Sequence, residues 1–171
     1  NFVFFKKNDQ MKVGDKVYVI VSTDQINKLL SVFGHNEKVA KKILIIGGGN
    51  IGLHLGKLLE MSEGLRIKII EKDKSRAEQI ASELSSSIVI CGDPLDEKIL
   101  KEANIEEIET VFALTDDDED NIMACVLAEK YTPSKRTIAI INKHNYSLLQ
   151  ESLKIDDLVD PRMATVSTIM K

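Results

Sequence analysis

The sequence predicts an α/β fold, a doubly wound parallel sheet preceded by the tail of a small α+β subdomain. Three observations predict it. Short apolar runs recur from Lys42 onward, each followed by a segment with helical spacing. The first run ends directly in Gly47-Gly48-Gly49-Asn50-Ile51-Gly52, which fits G-x-G-x-x-G. The second run ends in an acid, Glu71, 19 residues after Gly52.

The opening is organised differently. Residues 2–5 and 17–21 are rich in β-formers and flank MKVGDK, a turn with Gly14 and Asp15. DQINKLLSVFG then places Ile26, Leu29, Leu30 and Phe33 at helical spacing and stops at Gly34. Strand, turn, strand and closing helix make 1–34 the expected tail of an α+β unit whose start is missing. The polar stretch 35–41 is the expected linker. An opening Asn1 and a helical pattern still running at Lys171 are expected of a piece of a longer chain.

The remainder, 42–171, reads as alternating strands and helices. The strands are KILII (42–46), RIKII (66–70), SIVIC (87–91), TVFAL (110–114) and RTIAII (136–141). Helices are expected at 50–62, 74–85, 95–103 and 119–130. A shorter step follows: DDLV at 156–159, then a helix with Asp160 as cap and Pro161 in the first position. Continuous apolar strands separated by helices are the pattern of a parallel sheet covered on both faces, and right-handed crossovers make it doubly wound.

Composition excludes several classes. Hydrophobic residues make up 43% and charged residues 29%, so the chain has a core to bury and is not a disordered polymer. Lys and Arg total 23 against 27 Asp and Glu, a net charge of −4, without the basic excess of a nucleic-acid binder. The longest apolar stretches are far shorter than the roughly 18–20 residues of a membrane span. FVFF at 2–5 is too short for a signal-peptide core. Cys91 and Cys125 offer neither a disulfide framework nor a metal spacing, as in a reducing cytoplasm.

In the glycine motif each position has a mechanical task. Gly47 makes the tight turn, Gly49 lets the backbone approach a diphosphate, and Gly52 lets the helix pack close on the strand. Free N–H groups at the helix start, from Asn50 and Ile51 onward, then hold phosphate. Glu71 can accept hydrogen bonds from both ribose hydroxyls of an adenosine and repels a 2′-phosphate, which favours NAD or a plain adenine nucleotide over NADP. Lys72 and Arg76 work against that repulsion. Gly92 and Asp93 end the third strand and are expected to border the adenine; Asp93 equally suits a helix N-cap ahead of Pro94. Thr115 and Asp116 end the fourth strand and are expected to face the second half of the ligand. Together these residues predict a Rossmann-like nucleotide site.

Other signals carry less. Tyr131 and Lys135 match Y-x-x-x-K, but Pro133 disfavours the continuous helix that this catalytic pair needs. Asp116, Asp118 and Asp120 imitate the opening of a calcium loop, yet Asn121 and Leu127 stand where Gly and a bidentate Glu are required. Solvated carboxylates at a helix start are expected instead. Both cysteines are expected to be core thiols. His35, His54 and His144 have no ligand spacing. No catalytic or metal-ligating set is predicted.

KILIIGGGNIG, IKIIEKDKSRAEQIASEL and IVICGDPLDEKILKEANIEEIETVFALTDDDEDNIMACVLAEK together resemble the nucleotide-binding half of RCK (KTN) domains. VGDKVYVIVSTDQINKLLSVFG is similar to the end of the small C-terminal RCK subdomain that precedes a second nucleotide-binding half in two-repeat members. The resemblance implies a non-enzymatic, cytoplasmic regulatory subunit of a potassium uptake transporter, bound to a membrane-embedded translocating subunit. It implies NAD(H) or ATP/ADP as ligand and homo-oligomers built from paired domains. The family's nucleotide residues fall on Gly47, Gly49, Asn50, Ile51, Gly52, Glu71, Gly92, Asp93, Thr115 and Asp116. An NAD-dependent oxidoreductase fragment is the competing reading, and it needs a substrate domain and a catalytic acid or base. An ATPase lacks its G-x-x-x-x-G-K-[ST] loop.

Overall fold

The apolar runs of the sequence are the strands of one sheet. In the computed structural model, which describes residues 10, 19–22, 25–34, 40–131, 136–143, 145–146 and 150–162, they are β1 (Lys42–Ile46), β2 (Arg66–Glu71), β3 (Ile88–Cys91), β4 (Thr110–Ala113), β5 (Arg136–Ile140) and β6 (Asp157–Val159). The sheet order is β3-β2-β1-β4-β5-β6 and every pairing is parallel. The chain leaves β1 in one direction through β2 and β3, then returns to its other side at β4. The ends of β1 and β4 therefore flank the switch point, where an open α/β sheet leaves a crevice.

Burial explains the uninterrupted apolar runs. Leu44, Ile45 and Ile46 are each 0% exposed, because alternate side chains enter opposite faces and both faces are covered. One face buries Leu44, Ile46, Ile70 and Val111 beneath α4 (Glu97–Glu102), a 3-10 turn at Ile105–Glu107 and α5 (Asp118–Tyr131). The other buries Ile43, Ile45, Ile67 and Ile69 beneath α2 (Asn50–Glu60) and α3 (Lys74–Glu83). A short α6 (Gln150–Leu153) precedes β6. Asp160 Oδ1 accepts from the Arg162 amide at 2.9 Å, the capping expected there.

The chain divides into two compact units, 1–38 and 39–171. Of the first, the helix α1 (Ile26–Val32) is described, and it stops at Gly34, whose φ is +82°. The strand expected at 2–5 lies outside the described residues; of the one expected at 17–21, residues 19–21 are described and form no strand. Residues 35–39 of the expected linker 35–41, and the expected final helix beyond Arg162, also lie outside them. Among the described residues no helix is long and apolar enough to cross a membrane.

Helix α4 starts at Glu97, two residues later than expected, and Asp96 caps it by accepting from the Lys98 amide at 2.8 Å. The cap proposed for Asp93 is thereby corrected. Pro94 sits inside a turn closed by Asp96 N–H on the Asp93 carbonyl (3.0 Å), and Asp93 Oδ1 accepts from the Leu95 amide (2.9 Å). Proline is preset for the second position of such a turn, so the helix waits for the next acid.

Glu60, closing α2, clamps the loop into β3. Its Oε1 accepts from the amides of Ser86 (2.8 Å) and Ser87 (2.7 Å) and from the Ser87 hydroxyl (2.7 Å), and Oε2 from Ser85 (3.0 Å). Burial pushes this carboxyl up, but the hydrogen bonds overcome it and hold its pKa at about 2, below the ordinary 4.5. The depressed value fixes the sign: the stabilisation is complete above pH 4.5 and is lost as pH falls toward about 2. Urea midpoints of the parent should therefore fall more steeply across that window than those of Glu60→Gln, which has no proton to take up. At neutral pH the substitution should cost about 1 kcal/mol. Parallel pH profiles would refute the clamp.

Candidate functional site

The glycine turn is built by close backbone approaches. Gly47 ends β1 with φ +100°, and its N–H donates to the Ile70 carbonyl at 2.9 Å. A Cβ there would lie 2.9 Å from both Leu114 C and Thr115 N, so only glycine passes between the ends of β1 and β4. A Cβ on Gly52 would land on the Gly47 carbonyl oxygen. Helix α2 thus rests directly on the turn that precedes it. Gly49 is the N-cap residue of α2, no side chain caps it, and a Cβ there would meet nothing within 4 Å.

Glu71 closes β2 facing this turn. Its Oε2 accepts from the Gly48 amide (2.7 Å) and Oε1 from the Asp73 amide (2.9 Å). An ionised carboxylate accepts about four hydrogen bonds, so each oxygen keeps acceptor capacity. Arg76 Nε donates to the Gly48 carbonyl (2.8 Å) and its Nη1 to Gln79 (2.9 Å). Lys72 pairs with Asp93 Oδ2 at 2.9 Å. That contact holds the Lys72 ammonium above its usual range and, with the Leu95 amide, holds the Asp93 carboxyl below its own. The Lys72 charge is therefore matched by Asp93, whereas Arg76 is bonded to neutral acceptors and keeps its charge beside the glycine turn.

Across the switch point, Thr115 is fixed by Asn121. Asn121 Oδ1 accepts from the Thr115 amide and hydroxyl, both at 2.8 Å, and its Nδ2 donates to the carbonyls of Thr115 and Ile140, both at 3.0 Å. Asp118 is 4% exposed and receives the amides of Asn142 (2.9 Å) and Lys143 (2.8 Å). The start of α5 is thus tied to the ends of β4 and β5 together. This corrects the expectation of solvated carboxylates for Asp118. Asp117 caps the helix instead, accepting from the Asp120 amide at 2.8 Å.

These pieces enclose a cleft of about 320 Å3 lined by Gly47, Gly49, Ile70, Glu71, Lys72, Pro94, Leu114, Thr115, Asp116 and Asp120. Of the site residues expected from sequence, it gathers Gly47, Gly49, Glu71, Thr115 and Asp116. Asn50 and Ile51 are exposed on the first turn of α2, and Gly52 is buried under the glycine turn. Gly92 follows β3 and donates its N–H to the Glu71 carbonyl at 2.9 Å. Asp93 reaches the cleft only through Lys72.

Asn121 and Asp118 are the site residues that the sequence reading missed. For Asn121 a signal existed: it stands on the inward stripe of α5 with Ala124, Cys125 and Ala128, a polar residue where an apolar one is expected. The assignment of both cysteines to the core holds only for Cys125, whose thiol burial pushes up to about 12. Cys91 is exposed, because β3 is an edge strand. His54 is exposed on α2, while His35, His144 and Lys135 lie outside the described residues. Among the described residues no cluster of His, Cys, Asp and Glu is placed to hold a metal ion.

A family model described as the TrkA-N domain matches residues 43–161. The Trk system potassium uptake protein TrkA of Azorhizobium caulinodans is 42% identical over 167 residues, 97% of this chain and 36% of that protein. The chain spans between 34% and 40% of the length of the first curated relatives it matches. Among solved structures, the GsuK channel bound to NAD superposes with a TM-score of 0.61 at 20% identity, over 72% of this chain and 22% of that one. The Kef CTD of Shewanella denitrificans in its AMP-bound form superposes with a TM-score of 0.63 at 17% identity, over 75% of this chain and 76% of that one. At such identities these likenesses show the fold.

Proposed function

Since the chain belongs to the TrkA-N domain family, we propose that it is the nucleotide-sensing part of a potassium-uptake system and acts by binding, without catalysis. The observation that carries this reading is the meeting of a bare glycine turn and the Glu71 carboxylate in one cleft. The N–H groups at the start of α2 suit a diphosphate, and the spare lone pairs of Glu71 suit the two hydroxyls of a ribose. Lys72 is matched by Asp93, while Arg76, bonded to the Gly48 carbonyl, stays a charged neighbour of the turn; the Glu71 carboxylate itself disfavours a 2′-phosphate. NAD(H) is the favoured ligand and ATP or ADP the alternative. One structural relative holds NAD and another AMP, which share an adenosine phosphate.

In this reading Gly47, Gly49, Asn50, Ile51 and Gly52 form the phosphate turn, Glu71 holds the ribose, Gly92 and Asp93 border the adenine, and Thr115 and Asp116 meet the far half. Residues 1–34 are the end of a preceding small subdomain. The partner is the membrane-embedded potassium-translocating subunit, on whose cytoplasmic side the protein assembles with further copies of itself. Ligands that bind two domain arrangements with different affinity shift their populations by that difference.

Calorimetric titration of NADH and ATP tests the reading. Glu71→Ala should weaken binding by about ten- to a hundredfold. The parent should discriminate against 2′-deoxyadenosine phosphates, and the variant should not. Equal affinity in parent and variant would remove the ribose assignment, and NADH-dependent reduction of an acceptor would favour an oxidoreductase.

A further inference from the structure

The strands carry a second anomaly at their opposite end. Side chains two apart on a strand share a face. Lys42 and Lys68 therefore stand on the same face as Leu44, Ile46 and Ile70, which are buried. The register pairs Lys42 with Arg66, and sets Lys68 between Leu44 and Ile88 in the next row, so the start of that face is cationic where a covered parallel sheet calls for apolar residues. A lysine stem laid over apolar surface accounts for one such position. It does not account for three gathered around a cavity.

That cavity has a volume of about 300 Å3 and lies between the row and the segment after α4, with Ala103, Asn104 and Ile108 on its far wall. Ile88, 57% exposed, and the half-buried Leu65 also line it, so part of the wall offers apolar surface. Among the lining residues Glu107 is the one acid, and it already pairs with Lys42 at 2.8 Å. The part-buried Lys68 ammonium donates to the neutral carbonyl of Ala103 at 3.0 Å. A pocket of ligand size with part of its wall apolar and an excess of positive charge is complementary to an anion carrying a hydrocarbon body.

We propose that this cavity is a second binding site, taking a small organic anion with an apolar body, such as a carboxylate on a hydrocarbon chain. Lys68 meets the charged group inside, Arg66 meets it at the rim, and Leu65 and Ile88 pack the body. The site lies at the strand starts, whereas the glycine cleft lies at the strand ends. The two sites share no lining residue and are therefore separate.

Amide NMR of the full chain with octanoate as probe is the test. Octanoate should shift the amides of Lys68, Ala103 and Asn104, with NADH present or absent, and octylamine should leave them in place. Lys68→Met, which keeps an unbranched stem, should weaken octanoate by about tenfold. Arg66→Gln, at an exposed position, should weaken it in the same direction and provides a second variant should the first fold poorly. The proposal is overturned if octanoate leaves these amides unmoved, if 1-octanol binds them equally well, or if NADH displaces the probe.

Discussion

Gly52→Ala is expected to be the most damaging glycine-to-alanine change among the described residues. Two effects of opposite sign compete. Alanine in a helix interior is favoured over glycine by about 1 kcal/mol. Against this, the new Cβ falls on the Gly47 carbonyl oxygen, a main-chain atom with no rotamer to escape into. Relief requires α2 to lift off the turn, and α2 carries Leu53, Leu55 and Leu59 of the core beneath it. Overpacking of this kind costs about 3 kcal/mol or more, so the clash wins. Against a total stability of roughly 5–15 kcal/mol, the urea midpoint should fall visibly and any nucleotide affinity with it. Gly49→Ala is the control. Its Cβ meets nothing within 4 Å, so the fold should keep its stability while the cleft mouth is narrowed. A Gly52→Ala protein as stable as the parent would show that the turn and helix are not packed as described.

Asn121→Leu should be nearly as costly, although it places an apolar side chain of similar volume at a position that is 0% exposed. The usual gain from burying hydrocarbon is outweighed by what is orphaned. The Thr115 amide loses its acceptor, and the carbonyls of Thr115 and Ile140 lose a donor. A buried polar group stripped of its partner costs about 1–3 kcal/mol, so a net loss of about 3 kcal/mol is expected. Hydrogen exchange gives the specific readout: the Thr115 amide should lose protection by more than the general fall in stability explains. Protection at Thr115 equal to that of the parent would refute the bridge.

Much of this architecture was legible because its signals are local. Buried parallel strands read as KILII and RIKII without alternation, and a glycine turn between strand and helix needs its particular spacing whatever surrounds it. What escaped the sequence depends on neighbours far along the chain. Cys91 sits in an apolar run like the others, yet it is exposed because, among the described residues, no strand pairs with the outer side of β3. Asp118 resembles its acidic neighbours, but its partners are the amides of Asn142 and Lys143. In DPLDEK two acids compete to start one helix, and the proline decides by closing a turn first.

The two outer strands also govern how this protein meets other chains. β3 is four residues long and β6 three, so a foreign strand docking alongside either would gain only a few ladder rungs. Such stubby borders discourage the runaway stacking to which long, flat sheet margins are prone. Within this sheet unit, the helical flanks are left as the broader surface for contact.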